Sequence, residues 1–191
     1  DYAFFIGKDV VIFLDNIIYH SRSGYELGYT DSLIDWVRGL MNYVPTDADI
    51  YVAQHSPLNG RHYAGMITNH DALLDMFKGH EVTFISGHNH TNAVFEYAPG
   101  VMEHNIAAIC GTWWDVYHCT DGTPRGYKVF TKNGEYTYDF KIPLNNPTNA
   151  ALYAHLHRLN NVSEIKEKRQ AVLMADNCCY INGSETITDW T

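Results

Sequence analysis

The stretch Val82-Thr83-Phe84-Ile85-Ser86-Gly87-His88-Asn89-His90 decides how the rest of this chain is read. Val82 to Ile85 is a short apolar run of the kind that forms a buried strand, and it feeds directly into a glycine and two imidazoles two residues apart. In an extended or turning backbone both rings can point to the same side. Gly87 lacks a Cβ, which lets the backbone pass close to a metal or a phosphate. Imidazole nitrogen suits zinc, iron and manganese. Taken alone, the pair fits a metal site and two surface histidines on a loop equally well.

His55 adds context, because it also lies just past a strand, in Val52-Ala53-Gln54-His55-Ser56-Pro57. Side chains at the C-terminal ends of neighbouring strands converge on one crevice of an α/β sheet. Three histidines at two such ends, one helix apart, point to metal and make His55, His88 and His90 the candidate ligands.

Further out, Val10 to Leu14 is a second fully apolar run, with Ala3 to Ile6 as its hairpin partner across Gly7-Lys8-Asp9. Leu33, Trp36, Val37, Leu40 and Met41 recur at helical spacing, with Thr30 or Asp31 as cap and Pro45 as stop. A second helix is expected from His70 to Lys78, with Asn69 as cap and Leu73, Met76 and Phe77 on its buried face. From about residue 93 short strands follow one another, at 93–97, 106–110, 127–131 and 136–141, separated by turns at Pro99-Gly100, Asp121-Gly122 and Asn133-Gly134. The expected fold is α/β (α+β), a layered sheet-on-sheet sandwich flanked by helices, with a β-rich C-terminal part. Residues 1–142 form its main domain. Residues 143–191 hold a linker at Asn145-Asn146-Pro147, a helix through Leu152, Leu156 and Leu159, and a segment with no clear pattern.

The chain has 191 residues, and its 22 acidic against 13 basic residues give a formal charge of −9. Such a surface repels nucleic acid and anionic membrane, and no nucleic-acid-binding patch is found. The run Lys166 to Arg169 is diluted by Glu164 and Glu167 and reads as a solvated helix face. An acidic protein handles phosphates when bound cations supply positive charge locally. No apolar run reaches the roughly 18 residues of a membrane span. Cys110, Cys119, Cys178 and Cys179 form no Cys-x-x-Cys pair and leave the redox compartment open. The sequence opens on Asp1-Tyr2-Ala3-Phe4-Phe5 without an initiator Met, as a fragment would.

The order strand, His55-Ser56-Pro57, helix, strand, Gly87-His88-Asn89-His90 resembles the fourth and fifth metal-binding motifs of calcineurin-like metallophosphoesterases. Gly111-Thr112-Trp113-Trp114 followed by Cys119 to Tyr127 is similar to the bacterial branch with an extra C-terminal β domain. The resemblance runs from about Asp1 to Lys141. It implies a phosphate mono- or diester hydrolase using two divalent ions (manganese, iron, zinc or similar) that share a hydroxide. His55 and His88 would bind one ion and His90 the other. It also implies a small-molecule or protein phosphate ester as partner and, through the bacterial branch, a periplasmic or envelope location. The family's first three motifs, Asp-x-His, Gly-Asp-x-x-Asp and Gly-Asn-His-Asp/Glu, are not found before His55. The chain is therefore expected to be the C-terminal half of the catalytic domain, inactive by itself.

Other motifs read more simply. Asn69-His70-Asp71 is a helix cap and first turn, and Asp15 is a strand-end carboxylate. His155-Leu156-His157 diverges on a helix. Trp113 and Trp114 are expected to anchor the β core, Asp121-Gly122 to turn the chain, and Asn161 and Asn182 to be incidental matches to a glycosylation pattern. A rival reading is a non-catalytic metal- or ligand-binding module, for which an aromatic content of 14% leaves room.

Overall fold

A computed structural model describes residues 1–113, 118–133 and 135–141. The expected linker and helix in 143–191, with His155, His157, Lys166 to Arg169, Cys178, Cys179, Asn161 and Asn182, lie outside those residues, as do Trp114 and Gly134. The chain divides into two compact units, Asp1–Asn89 with Ala93–Asn105, and His90–Asn92 with Ile106–Thr191.

The first unit is a mixed α/β layer. Strand β1 (Tyr2–Ile6) turns at Gly7 into β2 (Asp9–Leu14), and Gly7 supplies the left-handed φ of 64° that the turn requires. A small hairpin of β3 (Ile17–Tyr19) and β4 (Tyr25–Leu27) leads to helix α1 (Asp31–Met41) and strand β5 (Ile50–Gln54). A single 3-10 turn at Arg61–Tyr63 precedes helix α2 (His70–Met76), and β6 (Val82–Ser86), β7 (Ala93–Ala98) and β8 (Val101–Asn105) complete the sheet. Its order is β1-β2-β5-β6-β8-β7, with β2, β5, β6 and β8 parallel.

Period-2 alternation builds the core. Val10, Ile12 and Leu14 of β2, Ile50 and Val52 of β5, and Val82 and Phe84 of β6 are all buried. They pack with Leu33, Ile34 and Val37 of α1 and with Leu73 and Phe77 at α2, so both helices cover one face. Fully burying a side chain of this size contributes about 1.5–3 kcal/mol. The intervening residues Val11, Phe13, Tyr51, Ala53 and Ile85 are only half-buried.

Helix α1 starts as expected, with Thr30 Oγ1 accepting from the Leu33 N–H at 3.2 Å. Ile34 takes the buried place expected for Trp36, which is exposed. Asn69 stands at the N-cap position of α2, as expected, but its side chain makes no cap bond. It sits at φ 60°, and its Nδ2 donates to the Tyr29 carbonyl and to Asp31, so it ties the two helix starts together.

The second unit contains β9 (Tyr127–Asn133) and β10 (Glu135–Lys141), an antiparallel pair. The strand expected at 106–110 is absent: the chain turns there, with Gly111 N–H donating to Ala108 O at 3.0 Å. Among the described residues its buried apolar cluster is only Ala107 and Cys119, with Ala108 against it.

Candidate metal centre

Strands β5 and β6 run parallel with Ala53 opposite Ile85, so the chain leaves both at the same sheet edge. His55 follows β5 and His88 follows β6. The Gly87 N–H donates to the His55 carbonyl at 2.9 Å, which links the two turns through the backbone. His55 Nε2 faces His88 Nδ1 at 2.9 Å, with the rings edge-on at 75° and 4.8 Å between centroids. Two nitrogens at this distance either share a proton or flank a cation. Tetrahedral zinc, with Zn–N of about 2.0–2.1 Å, sets its nitrogen ligands about 3.3 Å apart, so the pair needs only a small opening. A Cβ on Gly87 would meet the His55 carbonyl at 3.8 Å, an ordinary contact, so the space at Gly87 does not by itself demand glycine.

A buried polar layer carries these two turns. Asn16 donates through Nδ2 to Ser56 O at 2.7 Å and accepts from the Ser56 N–H at 3.0 Å. Gln54 Nε2 donates to the same carbonyl at 3.0 Å, and the Tyr29 hydroxyl donates to Gln54 Oε1. Glu103, fully buried on β8, accepts from the Leu58 N–H at 3.1–3.2 Å and from the Tyr97 hydroxyl at 2.6 Å. Asn105 Nδ2 donates to Ser86 Oγ and to Gly87 O, while its Oδ1 accepts from Tyr63 at 2.9 Å. Asn89 accepts from the His62 N–H at 2.7 Å and donates to Gly60 O at 3.1 Å, which pins the loop after Pro57. His62, Tyr63 and His88 all hold left-handed backbone with φ of 51°, 59° and 64°. Several anchors of this kind are what keep such conformations in place.

Burial dominates the electrostatics here. It holds the Glu103 carboxyl above the usual carboxylate range, although hydrogen bonds from Tyr97, Ser86, Leu58 and Gln54 pull the other way. Burial, and then the Glu103 charge, raise the Tyr97 and Tyr29 hydroxyls well above their ordinary value.

His90 belongs to the second unit. Its Nδ1 lies 2.8 Å from the Gly111 carbonyl, which can only accept. The neutral ring therefore carries its proton on Nδ1 and presents the Nε2 lone pair, the arrangement usual in metal-binding histidines. The backbone is fixed as well, since Thr120 donates to the His90 carbonyl through both N–H and Oγ1 at 3.0 Å. Asp121 braces the same turn, accepting from Asn92 N–H, Thr123 N–H and Thr123 Oγ1 at 2.9–3.0 Å. It serves the turn expected of Asp121-Gly122. Trp113 departs from its expected core role: 61% of it is exposed, and its ring stacks on His90 at 4.6 Å and 25°.

The structure thus brings His55 and His88 together and presents His90 separately within its own unit. Among the described residues no group of three or more His, Cys, Asp or Glu side chains is placed to hold a metal ion. Within the first unit, the two facing imidazole nitrogens of His55 and His88 fit part of one ion's shell. His55 also borders a cavity of about 410 Å³ lined by Tyr2, Phe13, Asp15 and Gln54. Asp15 accepts from the Ile17 N–H at 3.1 Å, as a strand-end carboxylate does. His70 bonds the Ile67 carbonyl and contacts Asp71 in the first turn of α2, which leaves Asn69-His70-Asp71 structural. Glu103, Asn105 and Asn16 were not singled out from the sequence. The faint signal was the polar run Glu103-His104-Asn105 directly after an apolar stretch.

Residues 103–178 match the family described as the C terminal of calcineurin-like phosphoesterase. Among solved structures, a dimetal phosphatase from Danio rerio is similar over 59% of this chain at 16% identity and a TM-score of 0.38, and the chain spans 38% of that protein's length. No curated protein matches the chain significantly. The matched residues 103–178 take in none of His55, His88 and His90, and what they are similar to is the C-terminal portion of the calcineurin-like phosphoesterases.

Proposed function

We propose that this protein hydrolyses phosphate mono- or diesters at a dinuclear metal centre. His55 and His88 hold one divalent ion and His90 the other. The observation that carries this reading is the pair of nitrogens, His55 Nε2 and His88 Nδ1, facing at 2.9 Å from the ends of adjacent parallel strands. Bound there, divalent ions supply the positive charge that draws phosphate oxygens and offsets charge in the transition state. They also resolve a conflict of sign, because a chain of net charge −9 otherwise repels a phosphate ester.

The chain's own residues orient the ligands. The Gly111 carbonyl fixes the His90 tautomer. Asn16 and Gln54 hold the Ser56 carbonyl, next to His55, while Asn105 holds Gly87, next to His88. Three imidazoles do not complete a two-ion shell.

The test is elemental analysis together with turnover of p-nitrophenyl phosphate for the intact protein and its His88→Ala and His90→Ala variants. Two ions in the wild type, one lost in each variant and a collapse of turnover support the reading. Bound metal without turnover in the wild type would instead support a non-catalytic metal-binding module. Unchanged metal and turnover in both variants would end the assignment of these histidines.

A further inference from the structure

We propose that Arg61 is an anion-binding residue, and that it takes a phosphoryl group in the fork of its guanidinium. The site is built from residues of the first unit and needs no bound ion. It deepens the reading above by naming a residue that recognises the phosphate, and it rests on that reading only for the choice of anion.

Charge is the first observation. The first unit holds five Lys and Arg residues: Lys8, Arg22, Arg38, Arg61 and Lys78. Lys8 pairs with Asp47, Arg38 with Asp35 and Lys78 with Asp75. Among the described residues Arg22 and Arg61 have no carboxylate partner. In a chain of net charge −9, an exposed guanidinium left without one keeps its donors for another anion.

Placement separates the two arginines. Asn89 Nδ2 donates to the Gly60 carbonyl at 3.1 Å, and Asn89 Oδ1 accepts from the His62 N–H at 2.7 Å. Those are the two peptide groups that flank Arg61, so one buried side chain clamps both sides of it. Asn89 directly follows His88, whose ring faces His55. The backbone of Arg61 is therefore held at the strand-end turns. Arg22 sits instead in a hairpin turn closed between Ser21 and Gly24.

The clamped loop is also strained. Gly60 has φ 73°, and a Cβ there would meet the Gly65 carbonyl at 2.7 Å. His62 and Tyr63 follow in left-handed backbone, and Tyr63 is anchored through its hydroxyl to Asn105 and through its ring to Phe95 at 5.0 Å. Strain held from several sides gathers where a ligand group is positioned. With the backbone fixed, only side-chain rotamers remain to be ordered on binding. A guanidinium then offers paired, coplanar N–H donors that match two phosphoryl oxygens.

The experiment is arginine modification by phenylglyoxal, read residue by residue by peptide mass spectrometry. It uses the intact protein as isolated and after chelation, with inorganic phosphate or methylphosphonate against chloride at equal ionic strength. Both anions are expected to slow modification of Arg61 at least about threefold in both preparations, the scale of one exposed ion pair, and to leave Arg22 unchanged. Protection by methylphosphonate alone supports the site and assigns it to the ester; protection by inorganic phosphate alone supports it and assigns it to the released product. No slowing at Arg61, equal slowing at Arg22, or slowing lost on chelation overturns the proposal. In titration calorimetry, R61A is expected to weaken inorganic phosphate binding about threefold or more, and R61K by less, because lysine keeps the charge without the fork. Equal affinity in wild type and R61A overturns the proposal. Turnover of p-nitrophenyl phosphate separates the two readings. A wild type that is active while Arg61 goes unprotected loses this proposal alone. Protection of Arg61 in a wild type without metal or turnover supports the site and ends the phosphoesterase reading.

Discussion

The two units hold their histidines by different means. In the first, His55 and His88 leave parallel strands whose inner faces pack on α1 and α2, and a buried layer of Asn16, Gln54, Glu103 and Asn105 fixes the turns. In the second, among the described residues, the buried apolar cluster is Ala107 and Cys119, and His90 is held by hydrogen bonds from Thr120 and to Gly111. A ligand on a packed sheet inherits the rigidity of the core. A ligand on a turn depends on a few polar contacts, each contributing about 0.5–1.5 kcal/mol. Perturbing the core should therefore cost the first unit far more than the second.

The largest effect is expected from Phe84→Ala. It opens a cavity in the fully buried centre of β6 and should destabilise by about 3–5 kcal/mol in urea unfolding. Cys119→Ala, in the second unit, should cost under about 1 kcal/mol, because it removes one small group. Similar costs for the two would break the contrast.

Next comes the site itself. His88→Ala should reduce turnover by at least about 100-fold and release one ion, as loss of a ligand to an ion that stabilises the transition state requires. His90→Ala should release the other ion. Loss of the same ion from both variants, read by metal analysis, would contradict the proposed division of ligands.

Glu103 sharpens the contrast through pH. Its folded pKa is raised, so the native state keeps a proton that the unfolded state, near pKa 4.3, has already lost. Its contribution is complete below the unfolded pKa and disappears as pH rises through the folded one. Glu103→Gln cannot titrate, so its stability relative to wild type should improve steadily from pH 4 upward until the raised pKa is passed. Glu103→Ala leaves the Leu58 N–H and the Tyr97 hydroxyl without this acceptor and should cost about 1–3 kcal/mol. A Gln variant whose difference from wild type is flat from pH 4 to 8 would contradict the assigned shift.

The remaining effect is local. Asn89→Ala removes the acceptor for His62 N–H and the donor to Gly60 O, and should cost about 1–2 kcal/mol. Amide exchange should quicken in 59–66 while β6 stays protected. Uniform quickening would show that this loop and the sheet open together.

Much of the fold is legible in local pattern. Val10 to Leu14, Ile50 to Ala53 and Val82 to Ile85 read as buried strands because apolar continuity is a local property, and all three lie in the parallel core. Thr30 reads as a cap because capping involves residues three apart. Strand β8 did not read, because Glu103-His104-Asn105 looks like solvent-facing chain until its partners Leu58, Tyr97 and Ser86 are placed around it. The expected strand at 106–110 failed although a β-branched and apolar composition was present: the chain turns there, with Gly111 N–H donating to Ala108 O.

The candidate site divides the same way. Alone, the sequence marked His55, His88 and His90 as chemistry, because a strand followed by Gly-His-x-His is a short-range pattern. It also set the acidic balance that disfavours an anion unless positive charge is supplied locally. Only tertiary structure set His55 Nε2 against His88 Nδ1, assigned the His90 proton to Nδ1 and turned Trp113 outward onto that ring. Those outcomes depend on residues 20 to 40 positions apart meeting in space, and no window along the chain carries that information.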